Sequence, residues 1–181
     1  MAHLTFNGTR IQYGGETLRF GQEPYFSSWF LPSQDELTAM YTNLYLESVG
    51  GFNATIYWSS TETGASTAFS WHFNFGGPGS NAKNLAQDVR AARMFYGVGT
   101  YALRDVGPGG GLIFYIDGGT YYEAAASNQS NGKVWTNLTT TEIGISAQGT
   151  GYGDGLTNTT AIISQPGHTD SAAKLCNDYT I

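Results

Sequence analysis

The most informative segment of the chain is Trp29-Phe30-Leu31-Pro32-Ser33-Gln34-Asp35-Glu36-Leu37. Ser33 and Glu36 have the spacing of a capping box, in which a serine hydroxyl and a glutamate carboxylate three residues later bond each other's backbone N–H groups. The apolar residues that follow have the spacing of one helix face: Leu37, Met40, Tyr41 and Leu44. The stretch therefore predicts a helix that begins after Ser33 and ends at Gly50-Gly51.

Strand-like segments follow this helix. Residues 56–60 are β-prone, and from Phe69 to Phe75 aromatic residues alternate with small or polar ones, which is the period of a half-buried strand. Residues 76–81 have the glycine, proline and asparagine content of a loop. Residues 88–95 fit a helix or a strand equally well.

A buried hairpin is predicted in the second half of the chain. Residues 97–111 are glycine-rich and connect two parts. Leu112–Ile116 is a continuous apolar run, residues 117–119 form a turn, and residues 120–125 return as the second strand.

Two short helices are predicted to end the chain, at residues 157–165 and 170–179, after a glycine- and threonine-rich loop at 144–155. Pro166-Gly167 separates the two helices. The residues that suit their N-caps are Thr157 or Asn158 for the first and Asp170 for the second.

The N-terminal 24 residues differ from the rest. Three β-prone runs are separated by Asn7-Gly8 and Gly14-Gly15, both of which favour two-residue hairpin turns, and Pro24 ends the segment. We expect a small β-meander that packs on something else, because a hairpin of this size is marginal alone. The predicted organisation is a β-hairpin appendage at 1–24 and one domain at 25–181.

Composition excludes several classes of protein. The chain of 181 residues carries 8 Lys+Arg and 14 Asp+Glu, a formal charge of −6, which argues against a nucleic-acid partner. No apolar run is long enough to cross a bilayer, and no secretory signal peptide is visible at the N-terminus. The one cysteine, Cys176, cannot form an internal disulfide, and we expect it to be a buried small apolar residue.

The segment from Trp29 to Arg93 resembles a bacterial and phage family. It contains Trp29-Phe30-Leu31-Pro32-Ser33, Tyr57-Trp58-Ser59-Ser60-Thr61-Glu62 and Val89-Arg90-Ala91-Ala92-Arg93. This pattern is similar to the DUF1566 domain, which is also the C-terminal domain of the Legionella collagen-like adhesin. The resemblance implies an α+β class with a C-type-lectin-like fold.

The second half resembles the beginning of the same family domain. Gly109-Gly110-Gly111-Leu112-Ile113-Phe114-Tyr115, Tyr122-Glu123-Ala124-Ala125 and Ala172-Ala173-Lys174-Leu175-Cys176 carry this part of the resemblance. The order is therefore permuted: 25–96 matches the family's C-terminal half, 97–108 is a linker, and 109–181 matches its N-terminal half. Circular permutation within one chain explains this order, and exchange of 109–181 between subunits is the alternative.

Most motif residues of the resemblance are expected to be structural. This set is Trp29, Pro32, Glu36, Trp58, Glu62, Arg90, Arg93 and Glu123. We expect Arg90 and Arg93 to form buried ion pairs with motif carboxylates such as Glu62. His168, beside Asp170, is expected to take part in capping.

Candidate ligand-binding residues lie in the segments 63–68 and 76–84, where this fold usually displays its ligand surface, and between the family positions Phe69, Phe73 and Gly76. They are Thr63, Ser66, Ser70, Trp71, His72, Asn74 and Asn81. An exposed tryptophan with adaptable polar neighbours is typical of a recognition patch. The structural alternative is that Trp71 packs against residues 1–24.

Catalysis is not expected. The histidines lack metal-ligand spacing, no two carboxylates are spaced as an acid and base pair, and a formylglycine-generating type of enzyme would need a second cysteine. We expect no cofactor, with a calcium ion at Asp117 or Asp154 as an alternative.

The expected function is that of a non-enzymatic binding protein of a phage particle, on the tail or capsid surface and extracellular after host lysis. It would recognise a host-surface receptor or saccharide, contact other virion proteins through residues 1–24, and form a homo-oligomer. Two alternatives stay open: a structural virion component, either a capsid decoration or a fibre-joining protein, and a bacterial surface adhesin.

Overall fold

The N-terminal segment forms a small antiparallel sheet. A computed structural model describes residues 5–7, 10–13, 16–19, 25–97 and 99–181. Within it, β1 (Thr5–Asn7), β2 (Arg10–Tyr13) and β3 (Glu16–Arg19) pair in that order. The predicted meander is therefore confirmed for these strands. Gly8, Gly14, Gly15 and Pro24, which were predicted to turn or end it, lie outside the described residues.

The predicted helix and its capping box are confirmed. In α1 (Gln34–Met40), Ser33 Oγ accepts a hydrogen bond from Glu36 N at 3.3 Å, and Glu36 Oε2 accepts one from Ser33 N at 2.7 Å. A π-helical turn (Tyr41–Tyr45) continues the helix, and Leu37, Met40 and Leu44 are buried. The helix ends before Gly50-Gly51, because Ser48 already adopts a left-handed backbone conformation.

Nine strands follow β3: β4 (Tyr25–Phe26), β5 (Ile56–Gly64), β6 (Thr67–His72), β7 (Gly77–Ala82), β8 (Gln87–Val89), β9 (Ala92–Tyr96), β10 (Leu112–Asp117), β11 (Thr120–Ala124) and β12 (Ser130–Lys133). A four-stranded sheet has the order β10-β11-β9-β4, and a five-stranded sheet has the order β12-β8-β5-β6-β7. Pairs are antiparallel except β5 with β8.

The chain from residue 69 to residue 82 differs from the prediction. β6 ends at His72, because Phe73 turns into the core and the Gly76 N–H closes a turn onto the His72 carbonyl at 2.7 Å. Phe75 is 83% exposed. Residues 76–81 were predicted as a loop, but residues 77–82 form β7, which pairs with β6 along its whole length. Cross-strand pairing therefore outweighs the low strand propensity of this segment.

The hairpin of β10 and β11 confirms the predicted buried strands and their turn at residues 117–119. Residues 88–95, which fitted a helix or a strand, divide into β8 and β9, with Arg90-Ala91 between them. The predicted connector at 97–111 contains no helix or strand within its described residues.

Two further helices, α2 (Asp154–Ile163) and α3 (Ala172–Asn177), lie on either side of Pro166-Gly167 as predicted, after a 3₁₀ turn at Ile145–Ala147. Their predicted caps are wrong. α2 begins after Gly153, whose N–H donates to Glu36 Oε1 at 2.8 Å, so a carboxylate from α1 replaces a local cap. Asn158 is buried inside α2.

α3 is capped by Ser171 instead of Asp170. Ser171 Oγ accepts a hydrogen bond from Lys174 N at 2.8 Å and lies 2.9 Å from His168 Nε2, so His168 contacts the cap as expected. The Asp170 carboxylate instead pairs with Lys133 Nζ at 2.6 Å.

The core has two main apolar clusters, one around Trp58 and Trp135 and the other around Phe30, Tyr57 and Phe73. Cys176 is buried in the first cluster, as predicted, and burial raises the pKa of its thiol. The α+β class is confirmed by the four- and five-stranded sheets and the helices α1, α2 and α3. Within the described ranges, no helix combines the length and apolar character that crossing a bilayer requires.

Candidate functional site

The predicted binding face on β6 and β7 is only partly accessible. Ser70 is fully buried, and its Oγ accepts a hydrogen bond from Asn81 Nδ2 at 2.8 Å. Burial makes Ser70 a poor candidate for direct ligand contact, and its binding role stays a prediction. Trp71 is half-buried, with its ring 5.5 Å from that of Tyr41 after the α1 helix. The alternative contact of Trp71 with the side chains of residues 1–24 lies outside the described residues.

The other predicted contact residues differ in accessibility. Thr63, Ser66 and Asn74 are exposed, whereas His72 and Asn81 are half-buried. Thr63 Oγ1 lies 2.6 Å from Ser80 Oγ and 3.0 Å from Thr67 Oγ1, so its hydroxyl is already engaged. A binding role for these residues stays a prediction.

All the motif residues that were expected to be structural are buried, namely Trp29, Pro32, Glu36, Trp58, Glu62, Arg90, Arg93 and Glu123. Trp29 packs edge-on against Tyr179 with the ring centres 5.1 Å apart. The Pro32 carbonyl accepts a hydrogen bond from Ser60 N at 2.8 Å. These contacts join the chain before α1 to β5 and to the C-terminus.

Glu62 pairs with Lys83, not with the arginine that was expected. Lys83 is fully buried, and its Nζ lies 2.6 Å from Glu62 Oε1 while donating to the carbonyls of Ala65 and Thr141. Glu62 also accepts from the N–H groups of Ile143 and Gly144. The pair therefore ties the β5–β6 turn to the loop before the 3₁₀ turn, which is a structural role.

Arg93 does form the expected ion pair with a motif carboxylate. Its Nε lies 2.9 Å from Glu123 Oε2 across β9 and β11. Glu123 also accepts from the N–H groups of Gly109 and Gly111. The guanidinium lies 4.8 Å from the Trp29 ring. The glycine-rich segment at 107–111 thus wraps a buried carboxylate.

Arg90 bonds carbonyl oxygens instead of a carboxylate, which corrects the expected ion pair. Its guanidinium donates to the carbonyls of Gly50, Gly51 and Ala125 at 2.8–3.0 Å, and its Nε donates to Asn128 Oδ1 at 2.8 Å. The ring of Phe52 lies 4.1 Å away. Burial lowers the pKa of Arg90, and the neighbouring Tyr57 and Asp88 oppose that shift.

The best candidate site is a polar groove above Arg90, which we call the amide groove. It is lined by Gly51, Asn53 and residues 127–131, and it encloses about 380 Å³. Asp88 lies beneath it and is only 5% exposed. Asp88 Oδ2 accepts from the side-chain amides of Asn53 at 2.8 Å and Asn128 at 2.9 Å.

Two buried groups fix how the amides of this groove point. A carboxylate only accepts hydrogen bonds, so Asn53 and Asn128 must both direct Nδ2 at Asp88. A guanidinium only donates, so Asn128 must direct Oδ1 at Arg90. Asn131 Oδ1 in turn accepts from both Nδ2 groups, at 3.2 and 3.0 Å. The orientation of all three amides therefore follows from Asp88 and Arg90.

The buried Tyr57 hydroxyl joins the same hydrogen-bond network. It accepts from Asn53 N at 2.8 Å and lies 3.0–3.2 Å from the Asn128 amide. Burial raises the pKa of Tyr57, so the phenol keeps its proton at neutral pH. The base of the groove is thus held by hydrogen bonds to buried groups, which pre-organises its rim.

Apolar side chains flank the amide groove in two neighbouring cavities. One neighbouring cavity shares Gly51 and is lined by Tyr45, Leu46, Val49 and Phe52. A second neighbouring cavity shares residues 127–129 and is lined by Leu175, Tyr179 and the charged Asp178. Sites for small organic ligands commonly combine such apolar walls with a few convergent polar groups.

Sequence reasoning missed this groove. Asn53 and Asn128 stand in Asn-x-Ser/Thr triplets, which a chain rich in asparagine and threonine produces by chance. Asp88 lay in the segment that fitted a helix or a strand. The groove forms where residues 51–53, 88–90 and 127–131 come together in space. These segments are far apart in sequence, so no local pattern could have predicted the groove.

The two aspartates considered for calcium lie in different elements. Asp117 is exposed beside the β10–β11 turn, and Asp154 Oδ2 accepts from Gly151 N at 2.9 Å at the start of α2. Within the described ranges, no three or more His, Cys, Asp and Glu side chains come together in a group that could hold a metal ion.

Because comparison with known proteins finds no match, a functional assignment must rest on the geometry of the structure. No protein-family model, curated protein or solved structure matches the chain.

Proposed function

We propose that the chain is a non-enzymatic binding protein of a phage particle that recognises a saccharide of the host surface through the amide groove. This site replaces the β6–β7 face as the primary candidate, because Ser70 is buried and Trp71 packs against Tyr41. The role of residues 1–24 in this proposal is attachment to other virion proteins.

The observation that carries the proposal is the set of oriented amides over a buried base. Side-chain amides and hydroxyls donate and accept hydrogen bonds without carrying charge, as the hydroxyls of a neutral sugar require. Asp88 and Arg90 are buried beneath the rim and engaged with it. Phe52 and Tyr179 supply amphipathic or apolar surface beside the polar groups, against which a sugar ring can pack.

The fold within this proposal is a C-type-lectin-like domain in permuted order. It is supported by the way the motif segments meet: β9, from the first half, lies between β4 and β11, and Arg93 pairs with Glu123 of the second half. The proposed homo-oligomer would offset weak binding at each groove by presenting many copies on one particle.

A glycan-array screen with the purified chain, followed by titration of the best saccharide, tests the proposal. We expect millimolar to micromolar binding that is lost in the double variant Asn53→Ala/Asn131→Ala. A matched double variant on the other face, His72→Ala/Asn74→Ala, should bind as the unchanged chain does.

Two outcomes would overturn this assignment. If the His72/Asn74 variant loses binding and the Asn53/Asn131 variant keeps it, the β6–β7 face is the site. If no saccharide binds to the unchanged chain, saccharide recognition itself is wrong. Thermal unfolding of each variant identifies a loss of binding that comes from a loss of fold.

A structural role in the virion is the second candidate, favoured by the edge strand β7. Residues 77–82 carry no charged side chain and form the outer strand of the five-stranded sheet. Natural edge strands usually carry charges that prevent further pairing. Solution mass by light scattering distinguishes the two roles: assembly that is abolished by Ser80→Lys, with no saccharide binding, would favour the structural one.

A further inference from the structure

Two side-chain amide atoms of the amide groove remain without a partner among the described residues, and their identity follows from the network. Asn53 uses Nδ2 on Asp88 and Asn131, which leaves its Oδ1 as an acceptor. Asn131 uses Oδ1 on Asn53 and Asn128, which leaves its Nδ2 as a donor. Both residues are exposed, so these atoms are open to a ligand.

The free acceptor and the free donor lie at opposite ends of a hydrogen-bonded pair of amides. Asn53 and Asn131 meet head to tail, with Nδ2 of the first on Oδ1 of the second at 3.2 Å. A trans secondary amide also has its N–H and its carbonyl oxygen on opposite edges. Such a group therefore carries one donor for Asn53 Oδ1 and one acceptor for Asn131 Nδ2, on two different atoms.

We propose that the amide groove selects saccharides that carry an acetamido group, that is, N-acetylated amino sugars. The inference rests on the proposed saccharide function and names the substituent that the groove recognises. The acetamido N–H bonds Asn53 Oδ1 and the acetamido carbonyl bonds Asn131 Nδ2. A plain hydroxyl would have to donate and accept through one oxygen, whereas the acetamido group does so through two different atoms.

The surroundings of the pair fit the rest of an acetamido group. Its methyl is apolar, and half-buried Phe52 directly precedes Asn53 at the wall of the adjoining cavity. The group is uncharged, and the side chains lining the groove are uncharged too, with the Asp88 carboxylate occupied from above by two amides. An acidic or sulfated substituent finds no free cation among the groove-lining residues.

A matched pair of oligosaccharides tests this selection on the unchanged protein. Chitotetraose and cellotetraose have the same linkage and differ in bearing an acetamido group or a hydroxyl group. We expect chitotetraose to bind at least about tenfold more tightly in calorimetric or NMR titration, since two hydrogen bonds depend on the substituent. N-acetyl-tetraalanine amide is included as a non-sugar source of the same amide group.

The variant Asn131→Asp replaces the outward donor by an acceptor and keeps the inward oxygen. We expect it to reduce the affinity for chitotetraose about tenfold or more. Asn84→Asp places the same change on an exposed turn residue outside the groove and should leave the affinity unchanged. An ¹⁵N-correlation spectrum of each variant verifies that the fold is intact, and the comparison of ligands does not depend on any variant.

The outcomes separate this inference from the proposed function. Equal binding of chitotetraose and cellotetraose, both sensitive to groove variants, would overturn acetamido selection and leave saccharide binding in place. Equal or tighter binding of the acetylated peptide would also overturn it, in favour of a peptide ligand. Failure of every saccharide on the array would remove the proposed function together with the inference.

Discussion

Glu36 is a fully buried carboxyl group with no cationic partner among the described residues. Its two oxygens accept hydrogen bonds from the N–H groups of Ser33 and Gly153. Burial raises the pKa of Glu36 to about 7, and the nearby Asp154 adds to this shift, while the backbone hydrogen bonds oppose it. The glutamate of the capping box therefore also ties folding to pH.

The pKa of Glu36 predicts how folding stability changes with pH. The folded chain holds a proton on Glu36 up to about pH 7, whereas the unfolded chain releases it near pH 4.5. Folding stability is therefore lost as the pH rises through this window, by up to about 3 kcal/mol. In Glu36→Gln we expect this part of the pH dependence to vanish, measured by urea unfolding at pH 5 and pH 8.

The control for this prediction is Glu142→Gln, which makes the same change at an exposed site. Its stability difference between the two pH values should equal that of the unchanged chain. If Glu36→Gln shows the same difference as well, Glu36 titrates at its ordinary pKa and the assigned effect of burial is wrong.

At the scale of elements, the segment 107–111 is shaped by the carboxylate that it encloses. A Cβ on Gly111 would overlap the backbone carbonyl oxygen of Ala124 in β11, and a Cβ on Gly107 would press on the Glu123 carboxyl group. At residues 107 and 111 the segment approaches β11 closely enough that only glycine fits. Its conformation therefore depends on packing and not on the chain's preference for turns.

We predict that Gly111→Ala lowers the free energy of unfolding by at least about 2 kcal/mol, because backbone atoms must move to admit the methyl group. Gly77→Ala is the matched control: a Cβ there meets nothing within 4 Å, and its φ is not positive. Its effect should stay within about 0.5 kcal/mol. Urea unfolding of both variants makes the comparison, and a neutral Gly111→Ala would show that the segment is not held against β11.

Local signals account for the elements that sequence reasoning found. The capping box places α1, and the apolar run at 112–116 with its glycine turn places the β10–β11 hairpin. β7 was missed because residues 77–82 have almost no strand propensity and are held by pairing with β6. The start of α2 was misplaced because its first N–H is bound by Glu36, which is distant in sequence.

The candidate site was predicted less well than the fold for the same reason. The β6–β7 face was chosen because the resembling fold displays its ligand surface there. The alternating pattern of this segment shows that side chains differ between two faces but not which face is covered. The amide groove is formed by hydrogen bonds that join Asn53 and Asn128 to Asp88. These residues are far apart in sequence, so no local pattern predicts the contact.

At the scale of the whole molecule, both sheets take strands from both halves of the chain. β11 from the second half pairs with β9 from the first, and β12 from the second half pairs with β8 from the first. Trp135 donates to the Ser59 carbonyl in β5 at 2.7 Å. Neither half completes the four-stranded or the five-stranded sheet alone, so the two halves must meet within one chain or between subunits.

Pairing within one chain predicts an intrachain disulfide in a double cysteine variant. Tyr96 in β9 lies directly opposite Thr120 in β11. In Tyr96→Cys/Thr120→Cys, mild oxidation should give a cross-linked monomer, seen as a faster band at monomer mass on a non-reducing gel.

Each single cysteine variant is the control, because the native Cys176 is buried and unavailable as a partner. Single variants should stay uncross-linked at low protein concentration, since a bond between chains needs two molecules to meet. Exchange of residues 109–181 would instead place the new thiol in β9 of one subunit beside the new thiol in β11 of another. The double variant would then run on the gel as a covalent dimer or larger ring. The protein is diluted before it is oxidised. A covalent oligomer that still forms would overturn permutation within one chain, because only a pre-formed exchange brings those two strands of different subunits together.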